Sequence, residues 1–292
     1  MSPRTLTAFL CGAALVVAAA PARAEESAQE KAFAEIKARF EKLGQERDEA
    51  KRNALLDELY GMTRTYLDTH GKEAKDDQLT MPTAVWLQIA QMKENWDGIK
   101  AEIAGLKARS DLPAKLGQFL PQFELGVPGT PAPGWTAKDI HSGEEVKLEG
   151  LRGKLVLVDF WATWCPPCRS LMAQHLKPLH EAYKDKQDQF LLVGLGLPWR
   201  GETIEKEVEF GEKQGYHWKK VFDASAEAAK AYYVNGIPYL VLVDPEGKIL
   251  VAGSGWQVIE KVKKILAERL GGDPVPAAPP EAKGEAKPPA KK

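Results

Sequence analysis

The chain has 292 residues, of which 44% are hydrophobic and 28% charged, a balance typical of folded globular proteins. Forty basic and 41 acidic residues leave a net charge of −1, so no cationic excess points to nucleic acid or to an anionic membrane surface. Three cysteines are too few for a disulfide-built scaffold.

Residues 1–24 read as a secretory signal peptide. Arg4 precedes an apolar run from Ala8 to Ala20, and Ala22-Arg23-Ala24 supplies an A-x-A cleavage site. The run is shorter than the roughly 20 residues needed to cross a bilayer. Cleavage removes Cys11 and leaves Cys165 and Cys168 as the only thiols. The expected location is periplasmic or secreted.

Residues 25–118 read as a small all-helical domain. Phe33, Ile36, Phe40 and Leu43 share one helix face, and Leu55, Leu56, Leu59, Tyr66 and Leu67 share a second. Thr80-Met81-Pro82-Thr83 reads as the start of a third helix. Val85, Ile89, Met92, Trp96, Ile99, Ile103 and Leu106 then alternate at spacings of four and three. This stripe is read first as the core of a three-helix bundle and second as a homodimer seam through residues 85–106. Residues 119–134 are rich in Pro and Gly and read as a linker. Residues 271–292 form a Pro/Ala/Lys tail without enough apolar surface to fold.

Residues 135–270 alternate strands and helices. Asp139 to Gly143 reads as a turn between two short strands. Leu155 to Trp161 is an apolar run broken only by Asp159, the pattern of a strand buried on both faces. A helix follows from about Pro166 to Tyr183, then a strand from Phe190 to Leu195. The next elements are a helix from Thr203 to Lys213, a short strand at Val221-Phe222 and a small helix from Ser225 to Tyr232. Tyr239–Val243 and Lys248–Ala252 read as a hairpin about Asp244-Pro245-Glu246-Gly247, and Trp256–Leu270 as a closing helix. The order is βαβ, an inserted αβα, then ββα. It implies an α/β fold, a central mixed sheet flanked by helices.

Cys165-Pro166-Pro167-Cys168 stands at a strand-to-helix junction. A thiol at a helix N-terminus is favoured as thiolate, and a second thiol one turn in is shielded. That asymmetry suits disulfide exchange: Cys165 attacks and Cys168 resolves. Zinc would need four ligands, and neither a second Cys pair nor a His pair at ligand spacing occurs. No metal and no organic cofactor are expected. Pro166 and Pro167 fit the first helical turn but remove two N–H donors from the neighbourhood of the Cys165 sulfur.

Val158 to Arg169, running VDFWATWCPPCR, resembles the active-site stretch of thioredoxin-like proteins. With the leader, the strand pair before it and the central insert, the chain most resembles the exported TlpA/ResA-type thiol–disulfide oxidoreductases. Gly236-Ile237-Pro238-Tyr239 resembles that family's cis-proline loop, which implies a cis Pro238 with Ile237 against the cysteines. The resemblance implies a thioredoxin fold and a substrate groove shaped by Trp164, Pro166, Pro167, Ile237 and Pro238. It implies that Asp159, six residues before Cys165, relays protons to and from Cys168. Trp161 resembles a rim residue. Leu171 and Ala173 depart from the subgroup's usual Glu and Pro, which leaves Asp159 as the one evident site acid. Implied partners are protein thiols and disulfides and a membrane thiol-reducing electron donor, with reduction as the favoured direction. The competing readings are a thiol oxidase or isomerase, and a metal-handling or redox-sensing module. Core packing is the default for Trp199, Trp218 and Trp256, and Pro198–Gly201 is read as a loop near the site.

Overall fold

A computed structural model describes residues 27–273 and 275–277; the expected signal peptide and most of the expected tail lie outside the described residues. The chain divides into two compact units, residues 1–124 and 125–292.

The first unit is helical, with α1 (Ala28–Gln45), α2 (Glu49–His70), α3 (Asp76–Met92), α4 (Trp96–Lys107) and α5 (Ala114–Leu125). Ser27 and Glu30 close a reciprocal capping box on α1, and Asp48 caps α2 by accepting from the Lys51 amide. α2 packs against both α1 and α3, and α3 against α4. Leu59, Tyr66, Leu79, Leu87 and Ile99 lie at the centre of this packing.

Three expectations are corrected here. Among the described residues five helices replace three: the expected third helix is two, and residues 119–125, read as linker, are the second half of a fifth, α5. Pro82 lies inside α3, which begins six residues earlier with Asp76 and Asp77 in its first turn. The Val85–Leu106 stripe is not one helix. Glu94 takes a left-handed backbone (φ 56°), and Asn95 then caps α4 by accepting from the Gly98 amide at 3.1 Å. Val85, Ile89, Ile99, Ile103 and Leu106 are buried within this unit, so the stripe forms an intramolecular core and not a continuous seam.

The second unit is built on a seven-stranded sheet: β1 (Thr136–Asp139), β2 (Glu145–Lys147), β3 (Leu155–Trp161), β4 (Phe190–Gly196), β5 (Lys219–Phe222), β6 (Tyr239–Val243) and β7 (Ile249–Ser254). The order across the sheet is β2-β1-β5-β4-β3-β6-β7. β3 pairs parallel with β4 and antiparallel with β6, which makes it an interior strand, and with packing on both faces all seven of its residues are buried. The unbroken apolar pattern of Leu155–Trp161 has this cause.

Helices cover both faces. Val156, Val158 and Phe160 pack with Ala228, Ala229 and Tyr232 around α9 (Glu227–Ala231). Leu155, Leu157 and Trp161 point the other way, toward α6 (Pro166–Leu171), α7 (Lys177–Tyr183) and α10 (Gly255–Leu270). A π-helical segment, Met172–Leu176, joins α6 to α7. α8 (Ile204–Gln214) adds Phe210 to that face. The expected mixed sheet flanked by helices, preceded along the chain by a helical unit, is therefore present. The β6–β7 turn closes at Gly247, whose φ of 80° suits glycine.

Candidate functional site

Chain direction places the site. β3 ends at Trp161, and the chain turns through Ala162-Thr163-Trp164 into α6. Cys165 is the N-cap of that helix and Cys168 lies in its first turn. The two sulfurs are joined in a disulfide with the Cα atoms 5.3 Å apart. Pro166 and Pro167 occupy the first two helical positions, where their missing N–H groups leave no helical bond unmade. One donor to Cys165 survives them: the Cys168 amide donates to Cys165 Sγ at 3.2 Å. Cys168 is fully buried, whereas Pro166 and Pro167 are exposed beside Cys165.

The loop before β6 closes the site from the other side. The Ile237–Pro238 peptide is cis, and the Ile237 carbonyl oxygen lies 3.7 Å from Cys165 Sγ. Pro238 is buried and Ile237 half-buried. The Gly255 amide donates to the Pro238 carbonyl at 3.0 Å, which ties this loop to the start of α10. Leu171 is buried against Gly255.

A third wall comes from the segment after β4, Pro198–Gly201. The Trp164 indole N–H donates to the Trp199 carbonyl at 2.8 Å, and the Arg200 guanidinium lies 4.4 Å over the Trp164 ring. Glu202 accepts from the Thr163 amide and hydroxyl. Trp164 is thus held at the rim in a half-buried position. Trp161 is not a rim residue: it is fully buried and packs on Phe210 at 5.7 Å. Trp256 is the reverse correction. It is 42% exposed, and its indole N–H donates to the Pro167 carbonyl at 3.3 Å.

Asp159 is fully buried on central β3, not solvated at an edge, and neither carboxylate oxygen has a hydrogen-bond partner among the described residues. Strand alternation turns its side chain to the face of Leu157 and Trp161, the layer that holds Cys168. Burial pushes its carboxyl up to about 8, so it exchanges a proton near neutral pH. Asp159 is not the one site acid. Glu207 on α8 is buried on the same face and is pushed up to about 9, chiefly by burial. Periodicity offered no way to find Glu207 or Glu202, because an acid on an amphipathic helix or in a loop reads as solvated.

The arrangement can open and close one disulfide: both sulfurs belong to buried residues, Cys165 at 2% and Cys168 at 0% exposure, with the exposed Pro166-Pro167 edge beside Cys165 and a titrating carboxyl on the same face. The chain is similar to known proteins. The Redoxin family pattern matches residues 127–266. The thiol–disulfide oxidoreductase ResA of Geobacillus thermodenitrificans is 32% identical over 138 residues, covering 47% of this chain and 75% of that protein. ResA of Halalkalibacterium halodurans is 26% identical over 148 residues, covering 51% and 80%. Among solved structures, the thioredoxin domain of a thiol–disulfide oxidoreductase from Bacteroides vulgatus is 32% identical, with a TM-score of 0.40, covering 47% of this chain and 96% of that one. Through residues 125–270 and their cysteine pair, this chain belongs to the thioredoxin-like, ResA/TlpA-type thiol–disulfide oxidoreductases.

Proposed function

We propose that the protein is exported and reduces disulfides in client proteins, drawing its electrons from a membrane thiol-reducing donor. The observation that carries this reading is the asymmetry of the pair: Cys165, though only 2% exposed, caps the helix between the exposed Pro166-Pro167 edge and the Ile237 carbonyl, while Cys168 lies one turn in at 0%.

In the reduced enzyme the Cys165 thiolate is the nucleophile, favoured by the Cys168 N–H and the start of the helix. It attacks one sulfur of the client disulfide; a Cys165–client bond forms and the other client sulfur leaves as thiolate. Cys168 then gives its proton to Asp159 and attacks Cys165 Sγ. The Cys165–Cys168 bond forms, the Cys165–client bond breaks, and the second client sulfur leaves with its electron pair. Two electrons pass from dithiol to client, and the donor restores them. Trp164, Pro166, Pro167, Ile237 and Pro238 line the groove that receives the client strand. No metal or organic cofactor enters these steps.

The full-length Cys168→Ser variant tests the reading. In its native compartment it should accumulate mixed disulfides through Cys165 with client proteins, identified by mass spectrometry. The reduced wild type should cleave the interchain disulfides of insulin. Absence of both adducts and insulin cleavage would overturn the reading; trapped clients that are reduced, in place of oxidised, in a deletion strain would reverse its direction.

A further inference from the structure

The sheet face that carries the cysteine helix buries more charge than the dithiol steps above use. Glu207 is fully buried, and both its carboxylate oxygens lack a hydrogen-bond partner among the described residues. Lys220 on β5 is 2% exposed; its ammonium donates to the Tyr216 carbonyl and lies 5.5 Å from the Trp218 ring centre. Glycine makes the room for them. β4 presents only Gly194 and Gly196 to this part of the face, and the Glu207 carboxylate fills the space a Cβ at 196 would take. A Cβ at 194 would lie 3.2 Å from Trp161 Nε1, 3.3 Å from Trp218 Nε1 and 3.5 Å from Lys220 Cγ. Asp159 stands in register with Gly194, so the same strip of bare backbone runs up to it. Both indole N–H groups are also unpartnered among the described residues. Two carboxyl groups, one ammonium and two indole donors border one glycine trough.

A buried carboxylate is costly unless an opposite charge faces it; Glu207 faces Lys220 but also Asp159, and the two carboxyls cannot both ionise without like-charge repulsion. The neutral arrangement has one carboxyl protonated. Resting on the dithiol reading, we propose that Asp159 and Glu207 hold one proton between them beside a charged Lys220, and that Glu207 is thereby a positioning residue for the proton Asp159 exchanges with Cys168. During resolution the Cys168 S–H gives its proton to the ionised member of the pair, which then holds two protons; one returns to solvent after the client thiolate leaves. The charged groups facing Glu207 are Glu202 from the segment before α8, Asp159 from β3 and Lys220 from β5; Asp139 of β1 faces Lys220 as well.

The test is the titration of the Asp159 and Glu207 carboxyls by carbon-13 NMR in the reduced full-length protein. Glu207→Gln removes the like charge that Asp159 meets and the second site for the shared proton, so the Asp159 midpoint should fall by about one pH unit. Lys220→Met removes the cation that faces Glu207, so the Glu207 midpoint should rise by about as much. The pH profile of Cys168 alkylation should move the same way in each variant. An Asp159 midpoint unmoved by Glu207→Gln, or a Glu207 midpoint unmoved by Lys220→Met, overturns the proposal. If either variant fails to fold, the wild type decides: mirrored two-step titrations of Asp159 and Glu207 support the shared proton, and independent single steps overturn it. Insulin cleavage by the wild type tests the dithiol reading separately from this network.

Discussion

Glu202 accepts from Thr163 twice, from its amide at 3.0 Å and from its hydroxyl at 2.9 Å, across 39 residues of sequence. The carboxylate is nearly buried, and Thr163 stands two residues before Cys165. These charge-assisted bonds fasten the loop after β4 to the turn that aims the first cysteine. Glu202→Ala leaves both donors unpaired and should cost about 2–3 kcal/mol in urea unfolding. Glu202→Gln keeps one acceptor oxygen and should cost less. Disulfide reduction should slow in the same order, because Trp164 depends on the neighbouring Trp199 and Arg200. An Ala variant as stable as the wild type would show that the link is incidental.

Asp159 makes stability depend on pH, and the sign follows from the direction of its shift. Its carboxyl ionises near 3.8 in the unfolded chain and near 8 in the folded protein, so the folded state binds more protons between those values. The stability it permits is complete below about pH 4 and falls as pH rises toward about 8. Glu207, raised to about 9, acts in the same sense. Asp159→Asn should therefore reduce the slope without removing it. By pH 8 the variant should be more stable than the wild type by several kcal/mol, on the order of 5 at most. Urea unfolding of the oxidised protein from pH 4 to 8.5 measures this, and parallel curves would refute it. The same substitution should slow disulfide reduction most near neutral pH.

The sheet and its cysteines were legible because their signals are local. Leu155–Trp161 is apolar on both faces because helices cover the sheet on both, and the CPPC run sits where a strand must turn into a helix. Asp159 stood out as the one charge in that strand. Glu207 and Lys220 did not, since each is explained only by glycines on another strand. Trp161 and Trp256 exchanged their expected places because sequence distance from Cys165 does not report which side of a strand or helix a ring leaves from. In the helical unit, the four-three spacing was real but continued through a turn at Glu94 and Asn95, where a backbone reversal keeps the apolar register without keeping one helix.

That turn makes its own prediction. Asn95 Oδ1 accepts from the Gly98 amide, and its Nδ2 donates to the Tyr60 hydroxyl at 2.7 Å. The side chain thus starts α4 and ties it to α2. Asn95→Ala removes both bonds and should cost about 1–2 kcal/mol, the usual value of a cap. Asn95→Asp restores the capping acceptor but not the donor, and should recover most of the loss if capping dominates. Thermal unfolding followed at 222 nm distinguishes the two contributions.

Gly255 tests the link between the cysteine helix and the cis-proline loop. A Cβ there would meet Leu171 Cδ2 at 2.5 Å and the Pro238 ring at 3.3 Å. Leu171 is fully buried in α6, so it has little room to yield. Gly255→Ala should overpack this contact, destabilising the protein by about 1–3 kcal/mol. It should also push the Pro238 loop away from Cys165 and slow client reduction. Leu171→Ala removes the closer obstacle, so adding Gly255→Ala to that background should cost distinctly less than adding it to the wild type. A coupling of about 1 kcal/mol between the two sites is expected for residues in direct contact. Strict additivity would mean that Pro238, not Leu171, resists the new methyl group, and the loss of activity should then persist in the double variant.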